Sequence, residues 1–389
     1  MNYGINMEVY MVYKLICWIL ISVIAWYSMS LNVSAVSVSG ISAKAYILIE
    51  AQTGTVIASR NEHEMLPMAS TTKIMTTLLL LESGELDKEF SVDNDAIMVE
   101  GSSMGLCEDD IVTKLALCYG MMLPSGNDAA NQTAVLLAGN IEKFAEMMNM
   151  RASEIGLKNT NFVTPSGLHH NSHYSTAYDM AMLTREALKN KLFKEICGTQ
   201  HATVKFGNPP YERCLVNTNK LLHMYDYCIG VKTGFTDEAG RCLVSTAEKD
   251  GVSLICVTLN APDDWNDHIE LYDYGFSITE MKPIDYDYSK LLISVAGGKK
   301  EVLSVLPEIK PMCAVINGKC KELSSEVLLE KFLYAPVSAG QSVGKINFYL
   351  ENKLVFSTKL IANENCEAVV CKYEPSIFEK IVNYIKRLI

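Results

Sequence analysis

The sequence predicts an α+β fold: an antiparallel sheet covered by helices, then a small all-β domain, then a C-terminal amphipathic helix. Three observations predict it. Two pairs of β-rich runs lie far apart, at residues 45–58 and 241–259, with a long helical region between them, which favours an antiparallel sheet over a parallel βαβ alternation. Beyond about residue 280 the texture changes to short β-like runs separated by Gly, Asn and Lys. The chain closes on SIFEKIVNYIKRLI, where apolar residues recur at helical spacing.

Taken in order, Lys14, the apolar run Leu15 to Met29 and the small-residue stretch ending Val33-Ser34-Ala35 form a signal-peptide pattern over residues 1–35, with a mature start near Val36. Met11 shortens the long leading segment and is the more usual start. The alternative, an uncleaved anchor, is disfavoured because the core is shorter than the ~20 apolar residues a spanning helix needs. Residues 45–58 read as a hairpin around Gln52-Thr53-Gly54. Helices are expected over Lys73 to Leu81, Asn127 to Leu137, Ile141 to Ile155 and Thr176 to Leu188, the last opened by a Thr176/Asp179 capping box. A second hairpin, Arg241 to Ala247 with Val252 to Leu259, turns at Lys249-Asp250-Gly251. The first domain therefore spans residues 36–278. The β-rich domain spans 279–372, with runs at Leu291 to Val295, Val302 to Val305, Lys345 to Leu350 and Val355 to Ile361. In residues 373–389, Ser376 and Glu379 mark a capped helix whose apolar face and three Lys/Arg suit the plane of a membrane surface.

Composition narrows the function. A length of 389 residues with 49% hydrophobic and 20% charged residues is globular, and a net charge of −11 argues against nucleic-acid partners, which need Lys and Arg to neutralise phosphates. Twelve cysteines, less Cys17 in the leader, leave an odd eleven without zinc-like spacing, so mostly buried free thiols are expected.

Three segments carry chemistry. Ser70 and Lys73 of Ser70-Thr71-Thr72-Lys73 share a face if a helix begins there, pairing a hydroxyl with an amine that becomes a base when burial lowers its pKa. The same pattern recurs at Ser342-Val343-Gly344-Lys345, but in a strand-like setting where side chains three apart point to opposite faces. Ser125-Gly126-Asn127 forms a tight turn feeding a helix, in which Ser125 serves as a proton relay and the Asn127 amide as a donor to a substrate backbone. Lys232-Thr233-Gly234 enters a strand: Lys232 and Thr233 can hold a carboxylate, and Gly234 lets a peptide approach the sheet edge. Each segment alone also reads as a helix cap, a loop or a protected edge strand. Together they supply complementary roles.

With Met68-Ala69-Ser70-Thr71-Thr72-Lys73, Leu123-Pro124-Ser125-Gly126-Asn127-Asp128, His173-Tyr174-Ser175-Thr176-Ala177, Asn217-Thr218-Asn219-Lys220 and Gly230-Val231-Lys232-Thr233-Gly234-Phe235, the chain resembles the low-molecular-mass penicillin-binding proteins that act as serine-type D-alanyl-D-alanine carboxypeptidases, over roughly residues 40 to 370. The resemblance implies a β-lactamase/transpeptidase-like catalytic domain. In it Ser70 is the acylated nucleophile, Lys73 its base and Ser125 the proton carrier, while Asn127, Lys232, Thr233 and Gly234 meet the substrate and the backbone N–H groups of Ser70 and Phe235 form the oxyanion hole. It implies removal of the terminal D-alanine from peptidoglycan stem pentapeptides, acylation by β-lactams, no metal or organic cofactor, and a place at the outer face of the cytoplasmic membrane. Thr218 stands where some relatives use an arginine for the substrate carboxylate, so that contact is either absent or moved to Arg241.

Two rivals remain. A serine β-lactamase needs a carboxylate to activate water, and Glu154 is the candidate, although it falls in an expected helix. A penicillin or peptidoglycan sensor would keep the fold without turnover.

Overall fold

The computed structural model describes residues 38–319, 322–370 and 376–388; the expected leader, residues 1–35 with Met11 and Cys17, and also Cys320 and Cys371, lie outside the described residues. Strands β1 (Ala45–Glu50) and β2 (Val56–Arg60) make the expected antiparallel hairpin. A 3-10 turn, Ala69–Thr72, leads into α1 (Lys73–Glu82). The short pair β3 (Glu89–Ser91) and β4 (Ile111–Thr113) precedes α2 (Lys114–Met122), α3 (Asn127–Ala138) and α4 (Ile141–Ile155). Helix α4 starts where the Asn140 side chain accepts from Lys143 N and stops at Gly156, whose φ of +90° suits glycine.

Helices α5 (Ala177–Ala187) and α6 (Lys191–Gly198) follow. Thr176 caps α5 by accepting from Asp179 N, but the return half of the expected capping box is not made. Asp179 Oδ2 instead accepts from Asn159 N and the Thr160 hydroxyl, tying down the preceding loop. A further hairpin, β5 (His201–Gly207) and β6 (Pro210–Val216), stands inside the region read as helical; Asn208-Pro209 forms its turn.

After α7 (Leu221–Met224) come β7 (Cys228–Thr236), β8 (Gly240–Lys249), β9 (Val252–Leu259) and α8 (Asp264–Ile278). The main sheet has the order β2-β1-β9-β8-β7 and is antiparallel throughout, as expected, with β7 at one edge. Alternation sends Ile47, Ile49, Val244 and Val257 into a core shared with Ile74, Leu78, Phe144 and Met180 of the helices. Tyr46, Leu48, Leu243 and Leu254 face the other way, onto Leu271 and Tyr272 of α8.

The β-rich part contains β10 (Thr279–Pro283), β11 (Leu292–Ala296), β12 (Val302–Pro307), β13 (Met312–Ile316), β14 (Ser324–Leu329), β15 (Leu333–Tyr334), β16 (Ser342–Leu350) and β17 (Lys353–Ala362). β10 pairs with β13, and the rest form a six-stranded sheet, β14-β16-β17-β12-β11-β15, around Ile293, Val305, Ile346, Phe348 and Leu360. Ser342 and Lys345 sit on β16, where a bulge after Ser342 leaves both exposed with no hydrogen bond joining them.

Helix α9 (Ile377–Leu388) has both halves of its capping box, Ser376 N to Glu379 Oε2 at 2.9 Å and Glu379 N to Ser376 Oγ at 3.2 Å. Its Ile377, Phe378, Ile381 and Ile385 are exposed. No helix among the described residues is long and apolar enough to cross a membrane. Cys118, Cys197, Cys228, Cys242, Cys256 and Cys366 are buried free thiols, and Cys107 and Cys214 are exposed ones.

Candidate active site

Ser70 lies in the 3-10 turn rather than in the α-helix proper. Side chains three apart eclipse in 3-10 geometry, so the turn aligns Ser70 with Lys73 at the start of α1, and Lys73 Nζ comes 3.0 Å from Ser70 Oγ. Two flanking residues hold backbone conformations rare outside glycine, Ala69 at φ +47° and Ser125 at φ +66°. Such strain persists only where the surroundings enforce it, and it concentrates at functional sites.

Lys73 is fully buried, and its amine also reaches Asn127 Oδ1 and the Ser166 carbonyl, each at 2.7 Å. Burial pushes the Lys73 amine well below 10.5, the nearby Lys232 adds to the depression and Asp128 opposes it. A neutral amine has two hydrogens, and two carbonyl oxygens that can only accept occupy them. Once deprotonated, the amine keeps those two bonds and turns its lone pair to the Ser70 hydroxyl; protonated, it donates to Ser70 Oγ. Sequence reasoning missed Ser166 because a main-chain carbonyl has no residue signature.

Asn127 is partly spoken for. Its Oδ1 accepts from Lys73 and its Nδ2 donates to Glu100 O at 2.7 Å, so one N–H is left for the substrate contact expected of it. Asp128 beside it accepts from Met104 N, Gly105 N, Leu106 N and the Ser103 hydroxyl, fixing the loop that follows Glu100. Ser125 is buried at the cavity wall with no hydrogen bond to Lys73 or Lys232; the expected relay is not assembled in this state.

On β7, Lys232 is buried, its Nζ is 3.1 Å from Thr233 O, and burial pushes the amine down to about 7. Thr233 Oγ1 meets Thr218 Oγ1 at 2.9 Å. A Cβ on Gly234 would stand 3.0 Å from Met68 O and 3.1 Å from Ser70 N, so glycine is what lets the strand close on the serine turn. A cavity of about 330 Å³ is lined by Ser70, Ser125, Thr218, Lys220, Thr233, Gly234, Phe235 and Arg241, among others. Arg241 is present as expected, but it is not free: Asp264 Oδ1 accepts from its Nη2 at 2.6 Å and its Nε at 2.9 Å, and the guanidinium lies 5.3 Å from the Trp265 ring centre. Glu154 is exposed on α4 and pairs with Arg151 at 3.3 Å; it does not line this cavity. A hydroxyl 3.0 Å from a buried amine whose pKa is depressed, with a second buried lysine near that amine, is equipped for acyl transfer.

Comparison with known proteins agrees. The family model for D-alanyl-D-alanine carboxypeptidase matches residues 32–263, and that for the penicillin-binding protein 5 C-terminal domain matches 279–368. The D-alanyl-D-alanine carboxypeptidase DacF of Bacillus subtilis is 32% identical over 336 residues, covering 83% of this chain and 85% of the relative. DacC of Escherichia coli is 34% identical over 349 residues, covering 85% and 86%. The crystal structure of penicillin binding protein 5 from Haemophilus influenzae superposes with a TM-score of 0.61 at 27% identity, covering 86% of this chain and 100% of that one. The Streptomyces K15 DD-transpeptidase superposes with a TM-score of 0.60 at 31% identity, covering 62% and 100%. Agreement this long, running through both the catalytic and the β-rich regions, means that the chain belongs to the D-alanyl-D-alanine carboxypeptidase family.

Proposed function

We propose that this carboxypeptidase works through a Ser70 acyl-enzyme on peptidoglycan stem pentapeptides. Ser70 Oγ attacks the carbonyl carbon of the penultimate D-alanine as its proton passes to Lys73 Nζ. The backbone N–H groups of Ser70 and Phe235 hold the oxyanion. As the C–N bond breaks, Ser125 carries the proton to the departing D-alanine nitrogen, and water then hydrolyses the ester. Asn127, Lys232, Thr233 and Gly234 hold the peptide, with its terminal carboxylate toward Lys232 and Thr233. β-Lactams acylate the same oxygen.

The observation that carries this reading is the Lys73 amine, buried, depressed in pKa, held by two carbonyl acceptors and 3.0 Å from Ser70 Oγ. The test is D-alanine release from a pentapeptide ending in D-Ala-D-Ala, beside Ser70→Ala. Release from the wild type alone supports the reading, and release from both refutes it. The same assay on a substrate extended beyond the terminal D-alanine separates carboxypeptidase from endopeptidase action.

The proposal extends to location and organisation: a leader over 1–35, a catalytic unit over 36–278, a β-rich unit over 279–372, and a terminal helix lying on the outer face of the cytoplasmic membrane. Its support is the exposed apolar face of α9, with Lys386 and Arg387 in the last turn. Deleting residues 374–389 should release the mature protein from membranes; retention of the deleted form sinks the anchor.

A further inference from the structure

His173 is buried 101 residues from Thr72 in sequence, yet its Nε2 lies 2.8 Å from the Thr72 hydroxyl. Its other ring nitrogen, Nδ1, faces two backbone donors, Val163 N at 2.9 Å and Thr164 N at 3.3 Å. An atom facing two N–H groups must accept, so the neutral ring carries its proton on Nε2. Burial keeps the ring neutral by lowering its pKa to about 3, and His170 and His169 push the same way. Nε2–H therefore donates to Thr72 Oγ1, and the Thr72 hydroxyl donates onward to Ala69 O at 2.8 Å.

The chain of donors thus runs in one direction, from the Val163 and Thr164 amides through His173 and Thr72 to the Ala69 carbonyl. That carbonyl belongs to the peptide unit whose N–H is Ser70's. A carbonyl that accepts a hydrogen bond leaves its own N–H more polar, and linked bonds in a low-dielectric interior reinforce one another. Gly167 packs against the same carbonyl and the Thr72 hydroxyl: a Cβ there would stand 1.9 Å from Ala69 O and 2.9 Å from Thr72 Oγ1. The segment that His173 ties down also carries Ser166, whose carbonyl bonds Lys73 at 2.7 Å.

We infer that His173 and Thr72 are positioning residues for the reaction, holding and polarising the Ala69–Ser70 peptide so that its N–H is aimed and strengthened toward the developing oxyanion. The same ring couples this peptide to the carbonyl that orients Lys73. The inference rests on Ser70 being the nucleophile.

The test acylates the mature protein with benzylpenicillin and reads two quantities: the acylation rate, and the infrared stretch of the acyl carbonyl, which reports the hydrogen bonds at its oxygen. Thr72→Val should acylate about tenfold more slowly, a fraction of the 10²–10³ lost with a whole oxyanion donor, and its acyl carbonyl should absorb at higher wavenumber. Thr72→Ser, which keeps the hydroxyl, should restore both. His173→Asn can still accept from the loop amides but is too short to reach Thr72, so it should shift both quantities in the same direction; it carries the test if Thr72→Val does not fold. Wild-type rate and wavenumber in Thr72→Val or, failing that variant, in His173→Asn overturn the inference. If Ser70→Ala still forms the adduct, the nucleophile reading falls and the inference with it; loss of the adduct in Ser70→Ala with an unchanged Thr72→Val overturns the inference alone.

Discussion

Replacing Lys232 by methionine should make the protein more stable at the cost of its activity. Burial lowers the Lys232 amine from 10.5 to about 7. At about 1.36 kcal/mol per unit, holding its charged form in the fold costs roughly 5 kcal/mol. The sign follows from proton counting. Below about pH 7 the native state keeps the buried ammonium and bears the whole penalty. Between about 7 and 10.5 the native state is already neutral while the unfolded chain still binds the proton, so stability rises with pH across that window. From pH 6 to pH 9 the wild type should gain about 2–3 kcal/mol from this group. Lys232→Met removes the contribution, and because Lys232 also depresses Lys73, the dependence due to Lys73 shrinks in the same sense. Urea unfolding of both proteins at pH 6 and pH 9 measures the difference directly. The variant should be several kcal/mol more stable at pH 6, with the gap narrowing at pH 9, and it should lose affinity for peptides with a free terminal carboxylate. An identical gain with pH in the two proteins would refute the reasoning.

Three further outcomes follow from the same geometry. Gly167→Ala combines a φ of +87° with a Cβ driven into Ala69 O; it should cost at least about 1–2 kcal/mol in denaturant unfolding and slow benzylpenicillin acylation at least tenfold. Arg241→Ala leaves Asp264 buried without its partner, so it should destabilise by about 3 kcal/mol and raise KM for D-Ala-D-Ala peptides; Arg241→Ala with Asp264→Asn should recover the stability but not the KM. Arg213 donates to Gly105 O, pairs with Asp110 at 3.2 Å and lies over the rings of Phe206 and Tyr211, so Arg213→Met should cost about 3 kcal/mol and speed amide hydrogen exchange across residues 105–110.

Much of this arrangement was legible in the residues. The first and last hairpins of the main sheet showed themselves by β-rich runs around glycine turns, and α4 has the expected bounds Ile141 to Ile155. The three chemical segments do line one cavity, and helical against strand context separated Ser70 from Ser342. The β5–β6 hairpin escaped because its strands alternate over largely exposed positions and flank a proline turn, within a span dominated by helices. Ser166 escaped because its contribution is a carbonyl. The link from His173 through Thr72 to Ala69 escaped because it joins elements distant in sequence, and no local periodicity encodes such a contact. Asp179 matched its capping pattern by residue type, but the loop at Asn159 supplied competing donors and won its side chain.

The position of β7 at the rim of the main sheet has a consequence for solubility as well as catalysis. An open sheet edge invites pairing with any extended chain, including another copy of the same protein. Here the serine turn leans over that edge so closely that Gly234 has no room for a side chain beside Met68 O and Ser70 N. Ser70, Thr233 and Gly234 line the cavity that remains, and Lys232 is buried beside Thr233. A stray strand thus meets the covering serine turn, and on the proposed reading a short peptide ending in a carboxylate would take the interactions that a neighbouring strand would otherwise have supplied. On that reading, protection against aggregation and selection of substrate fall to the same piece of backbone.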